Sequence, residues 1–234
     1  MPKQTRLGDD AFIYQTHKEQ TEKEKLREMN FKGKMNYLWE YYKLHALAVV
    51  AAIALIIYFV YTILNPTVVP RFYAAMINNT IDSNVLDQYS EAFSKKLALN
   101  PERETIELNT TFSFGVDDQY TATMRQVLVT YIQAKEIDAI IAPESIFKDY
   151  AYSGMFCELS DQLPTDIYSS LTDHFYLTDT EDDSQKKVYG IYLTDTKLYQ
   201  SYADNTDPYI LGIVINAQNK DNTIEFIRYL FNEE

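Results

Sequence analysis

Residues 46–64 read ALAVVAAIALIIYFVYTIL, nineteen positions without a charge, a glycine or a proline. At about 1.5 Å per helical residue they reach roughly 28 Å, close to the hydrocarbon thickness of a bilayer. Trp39, Tyr41 and Tyr42 precede the run, and Tyr58 and Tyr61 lie near its far end, where amphipathic rings favour the headgroup level. Asn65 and Pro66 then stop a helix. A buried core helix is the competing reading, but helices of that kind are usually shorter and keep a polar side. The pattern predicts a transmembrane helix over 46–64. It divides the chain into an arm (1–45), a span, a linker (65–70) and a domain (71–234).

Charge sets the expected orientation. Residues 1–44 hold nine Lys/Arg against seven Asp/Glu, and the remainder holds 12 against 27, a net of −15. Lys32, Lys34 and Lys43 lie within about 15 residues of the span on the arm side, and Arg71 alone does so on the other. The excess of nearby cations predicts a cytoplasmic arm and an extracytoplasmic domain in a cell membrane. A domain this acidic repels nucleic acid. A cleaved signal peptide would have an apolar run of about 7–15 residues and a small-residue cleavage site. Here 45 residues precede a longer run, and Leu64-Asn65-Pro66-Thr67 offers no such site, so the anchor is expected to stay. Cys157 is the one cysteine, which leaves the domain to hold itself together by packing.

The arm is polar and mixed at first. Residues 18–32, KEQTEKEKLREMNFK, interleave Glu with Lys and Arg at helical spacing but carry few apolar positions, the pattern of a solvated helix or flexible arm. Residues 34–45, KMNYLWEYYKLH, form an aromatic-basic collar. An interfacial belt is its simplest reading, and a docking surface for another membrane protein is the alternative.

Beyond the span, strand and helix patterns alternate. FYAAMI (72–77), TIELNTTFSF (105–114), IDAIIA (137–142), VYGIYL (188–193) and ILGIVI (210–215) have the length or alternation of strands. Helices are expected over 85–99, from Asp117/Asp118, from Pro143-Glu144-Ser145 to about Tyr152, and after Asp221. Residues 156–159 and 163–164 read as irregular chain. Five strands alternating with four helices predict an open, mostly parallel α/β sheet with helices on both faces.

Three segments resemble the extracytoplasmic solute-binding proteins of ABC transporters. IDAIIAPESIFKDYAYSGMFCELSDQL (137–163) is similar to that family's strand, short helix and aromatic-small-Gly turn, at Asp138, Pro143, Phe147, Tyr150, Tyr152, Gly154, Leu159 and Leu163. KKVYGIYL (186–193) is similar to its Tyr-Gly strand, with Tyr192 where proline is usual, and GIVINAQNKDNTIEFIRYLF (212–231) to its closing helix. About 20 residues stand between the second and third segments, where a full member has a second lobe. The resemblance therefore implies one lobe of a periplasmic-binding-protein-like fold. Arm and collar also resemble single-pass membrane proteins of the Gram-positive, Firmicutes type. A lone lobe has no partner to close on a small solute. Its ligand-facing edge, at the carboxyl ends of the strands, is open to a protein or a polymer.

Catalytic, metal and cofactor signatures are not expected. The domain has one histidine (His174) and one cysteine, and six glycines in the whole chain do not make a phosphate-cradling loop. Asp179, Glu181 and Asp183 alternate like the start of a calcium loop, but without its turn glycine and distal glutamate; a solvated hairpin is preferred. Tyrosine is abundant, and Tyr150, Tyr152, Tyr189 and Tyr192 come from segments able to converge near the sheet's edge. With Pro143 and Glu144 they form the expected ligand- or partner-binding set, the competing reading being that most are packing residues. The leading expectation is a non-enzymatic display domain that binds an envelope protein or a transporter permease. The alternative is a receptor for a sugar or peptide, with two lobes paired in a dimer; an envelope enzyme comes third.

Overall fold

A computed structural model of the chain describes residues 27, 29–65, 67–115, 119–201 and 206–231. Most of the polar arm, and the Asp117/Asp118 start of a helix, lie outside them. The chain forms two units, 1–65 and 66–234.

In the first unit a single helix, α1 (Phe31–Leu64), runs for 34 residues. Asn30 caps it, its side-chain oxygen accepting from the Gly33 amide at 2.9 Å. At the other end the Asn65 amide and side chain both donate to the Tyr61 carbonyl, at 2.9 and 3.0 Å. The collar is thus helical and continuous with the apolar run. Tyr42–Leu64 is the helix, among the described residues, that is long and apolar enough to cross a membrane, and none of it is buried.

The second unit is a six-stranded sheet between helices. In chain order its elements are β1 (Val69–Met76), α2 (Ser83–Lys96), β2 (Glu104–Asn109), α3 (Gln119–Gln133), β3 (Ala139–Pro143), α4 (Glu144–Tyr152), α5 (Leu159–Gln162), α6 (Thr165–Ser170), β4 (Phe175–Thr178), β5 (Lys187–Tyr192), β6 (Tyr209–Ile213) and α7 (Lys220–Phe231). The strand order is β2-β1-β3-β6-β5-β4. β1 pairs parallel with β2 and β3, whereas β3–β6, β6–β5 and β5–β4 are antiparallel.

The sheet is therefore mixed, which corrects the mostly parallel sheet expected. A parallel connection needs a crossover element. Among the described residues, the chain between β5 and β6 holds only turns, so β6 returns beside β5 in the opposite direction. The short strand β4, which the sequence pattern did not reveal, hairpins onto β5 in the same way. Leu159, expected in irregular chain, begins the short helix α5. TFSF also departs from its expected strand. Asn78, in the left-handed region at φ 51°, takes over its bonding. The Asn78 amide donates to the Phe112 carbonyl, and its side chain brackets Phe114, accepting from the amide at 2.6 Å and donating to the carbonyl at 3.0 Å.

Alternation along the strands feeds two cores. One face (Phe72, Ala74, Met76, Ile141, Leu211, Ile213) packs under α2, α5, α6 and α7 through Phe93, Leu159, Ile167 and Phe226. The other (Tyr73, Ala75, Ile140, Ala142, Ile210) packs under α3 and α4 through Leu128, Ile132 and Phe147. Helices thus cover both faces, as the strand pattern predicts.

Asp138, fully buried just before β3, fastens these layers. One carboxylate oxygen accepts from the Tyr73 amide of β1 and the Asn219 side chain, both at 3.0 Å; the other accepts from the Gln218 and Asn219 amides at 3.1 and 2.8 Å, at the entrance to α7. These bonds replace the water that a buried carboxylate loses.

Gly190 and Gly212 provide a floor for α4. The Phe147 ring lies flat against the Phe156 ring, centroids 4.4 Å apart and 5° from parallel. A Cβ on Gly212 would come within 2.7 Å of Phe156 and 2.8 Å of Phe147. Two stacked rings have little room to move aside. Gly212→Ala is expected to cost about 1–3 kcal/mol in urea unfolding, as overpacked cores do; unchanged stability would refute this packing.

Candidate functional site

The site begins where β3 becomes α4. Pro143 ends the buried strand and leads straight into the helix with φ −55° and ψ 146°. The free amides of the first turn are satisfied by the chain entering β6. The Glu144 amide donates to the Pro208 carbonyl at 2.9 Å. The Ser145 amide and hydroxyl donate to the two Asp207 carboxylate oxygens at 2.9 and 2.6 Å. A carboxylate here also suits the positive end of the helix. With its amide thus engaged, Glu144 turns its side chain toward β5, where its carboxylate charge bears on the Tyr192 phenol.

Tyr192 starts a run of tyrosines along the α4 face. Its ring stands edge-on to Tyr176 of β4, centroids 5.8 Å apart, and Tyr176 stands edge-on to Phe147 at 5.5 Å. Tyr150 and Tyr189 are buried in the same cluster, with Tyr192 packed partly against it. The pairing register slips at Tyr189, where Leu177 pairs with Val188 but Tyr176 with Gly190. This bulge lets both Tyr189 and Gly190 face α4. The charge of Arg125 bears on Tyr150, and its guanidinium lies 4.9 Å from the Phe114 ring centroid. Tyr152 is 51% exposed at the far end of α4, and its carbonyl accepts from the Glu181 amide at 2.8 Å.

The expected set is thus gathered on one seam, but not all at the strands' carboxyl edge. Glu144, Pro143 and Tyr192 stand at that edge. Tyr150 and Tyr189 serve as packing residues, and Tyr152 lies toward the opposite end. Sequence reasoning missed Tyr176, because β4 has only four residues, and missed the Ser145–Asp207 contact, which joins positions far apart in the chain. Asp149 and Asp179 complete the seam: with Glu144, they are the carboxylates whose charge bears on Tyr176.

Burial, followed by the neighbouring Glu144 carboxylate, pushes the Tyr192 phenol up to about 12. Burial first, then the three carboxylates, also raises Tyr176, although the neighbouring Thr178 hydroxyl opposes this. Burial raises Tyr150 too, against Arg125. The seam is accordingly neutral at its phenols and negative at its rim.

Elsewhere, the candidates for chemistry are otherwise engaged. The acidic hairpin is crossed by Lys187, whose ammonium lies 3.1 Å from Glu158 and 3.2 Å from Asp183. His174 Nδ1 lies 3.5 Å from Asp195. Cys157 is buried, its sulfur accepting from Lys220 Nζ at 3.3 Å. A groove of about 470 Å³ opens at the opposite end of the sheet, lined by Thr67, Val69, Arg71, Asn100, Arg103 and Glu104; it holds none of the expected residues.

A scan against protein-family models finds no match to the chain, and a search of the curated proteins finds none either.

The raised phenols make a pH prediction. A tyrosine whose folded-state pKa exceeds its unfolded value near 10 contributes stability that is fully present below pH 10 and is lost as pH rises through the folded value. For Tyr192 that window is pH 10 to about 12. Glu144→Gln should lower the Tyr192 pKa, read as the difference in phenolate absorbance between proteins with and without Tyr192→Phe. Ionisation of Tyr192 near 10 in both backgrounds would contradict the Glu144 contact.

Proposed function

We propose that the chain is a non-enzymatic single-pass membrane protein that displays its α/β domain outside the cytoplasm to bind a partner protein. In this reading α1 spans the bilayer with the basic collar on the cytoplasmic side, and the domain is one lobe of the solute-binding type, facing an envelope protein or a transporter permease. The observation that carries it is a fully exposed apolar helix, Tyr42–Leu64, joined by a few residues to a domain with its own two-sided core. The length and exposure of the helix support a span, since such a surface in water would be a large aggregation liability. The seam along α4 supports a protein partner, because half-exposed tyrosines supply contact area at low entropic cost.

Two measurements test the reading together. A reporter active only outside the cytoplasm, fused after Glu234, should be active; activity confined to the cytoplasm would refute the orientation. A photo-crosslinking residue at Tyr152 should give a discrete protein adduct in native membranes, whereas one at exposed Glu102 should give none. Equal adducts at both positions, or none at Tyr152, would count against a partner on the seam.

A further inference from the structure

The groove of about 470 Å³ lies where β1 and β2 begin, and Thr67, Val69, Arg71, Asn100, Arg103 and Glu104 line it. Val69 pairs with Glu104, and its amide donates to the Arg103 carbonyl at 2.8 Å, so the sheet itself holds the two walls together. Glu104 is fully engaged. One carboxylate oxygen accepts from Arg71 Nε at 2.7 Å and the other from the Asn100 amide at 2.9 Å. The polar side-chain groups left over are mainly donors. Arg71 spends only Nε, and the Arg103 guanidinium, the Thr67 hydroxyl and the Asn100 side-chain nitrogen make no hydrogen bond or ion pair among the described residues. Two further acids come near in the chain: Glu102 beside Arg103, and Asp221 beside Asn222, whose side chain donates to the Arg71 carbonyl. Neither lines the groove. With Glu104 matched by Arg71, Arg103 is the uncompensated charge among the described lining residues.

Chain length alone limits how far this groove can lie from the end of α1. Asn65 closes that helix, and at about 3.4 Å per extended residue Thr67 lies within roughly 7 Å of it and Arg71 within roughly 20 Å. The headgroup layer adds roughly 5–8 Å to each side of the hydrocarbon core. Resting on the membrane-span reading above, we propose that the groove receives the anionic phosphate of a membrane phospholipid headgroup. A phosphodiester offers acceptors to these donors, and a guanidinium fork matches it with two parallel bonds. A free anion in solution must approach a domain of strongly negative net charge and is repelled. A lipid phosphate is instead held at the depth where Thr67 begins, at a high effective concentration.

The test is amide hydrogen exchange of the full chain in nanodiscs, read on the turn at 100–104 that carries Asn100 and Arg103. One bilayer is phosphatidylcholine alone, whose choline covers the phosphate charge. The other holds one quarter phosphatidylglycerol, whose phosphate charge is bare. The turn should exchange about threefold more slowly in the mixed bilayer, because a bound phosphate opposes the local opening that exchange requires. Lys32, Lys34 and Lys43 of the collar attract the same lipid but lie outside the segment that is read. Arg103→Gln should abolish the difference, while Lys148→Gln, at an exposed position on α4, should leave it within about 1.5-fold. Equal exchange in the two bilayers, or a difference that survives Arg103→Gln, would overturn the site. Inorganic phosphate at millimolar concentration, added to the phosphatidylcholine nanodiscs, should not reproduce the slowing. If it does, the ligand is a free anion and the lipid assignment fails. The reporter fusion judges the span and its orientation separately, since its outcome does not depend on this groove.

Discussion

The Asp138 carboxylate is the contact on which the domain's organisation depends. It sits where the parallel half of the sheet, β2-β1-β3, meets the antiparallel half, β6-β5-β4. It also reaches the entrance of α7, so one side chain joins a strand, its neighbour and the closing helix. The main chain of the same residue adds two bonds: its amide donates to the Tyr73 carbonyl at 2.9 Å, and its carbonyl accepts from the Val214 amide at 3.0 Å. A buried carboxylate is costly unless its oxygens are satisfied. Four donors meet that requirement, and they also fix the relative positions of the segments that supply them.

From that junction the candidate seam follows by packing. β3 runs from Asp138 into Pro143, where α4 begins at once and lies back across β6 and β4. Phe147 can settle this close because Gly190 and Gly212 expose bare backbone beneath it. Its position brings Glu144 to Tyr192 at one end of α4 and leaves Tyr152 exposed at the other. The seam is thus built on a helix and strands held by a packed core.

The sequence made much of this frame legible, for specific reasons. AIIA in β3 and ILGI in β6 are buried on both faces, and continuous apolar runs betray such strands. α2 and α7 carry one-sided apolar patterns with Asp82 and Asp221 near their starts. The direction of β6 was harder, because it depends on the absence of a crossover element between β5 and β6 and not on the strand's own residues. β4 escaped because FYLT is too short to establish a period, and with it Tyr176 was lost from the expected site. TFSF alternates like a strand, but the side chain of one left-handed residue, Asn78, outcompetes the ladder for its backbone groups. Asp138 was visible as part of a family-like motif, but its donors from Tyr73, Gln218 and Asn219 are far away in sequence. No local pattern contains them.

Amide hydrogen exchange on the full chain tests the role of Asp138 most directly. Gln218 is exposed, and it and Asn219 lie in irregular chain just before α7, so without the carboxylate their amides have no reason to be protected. The lock at Asp138 predicts that the amides of Tyr73, Gln218 and Asn219 exchange as slowly as that of Ile140 in the buried strand. Exchange of Gln218 and Asn219 at the rate of the exposed hairpin at 181–186 would contradict it.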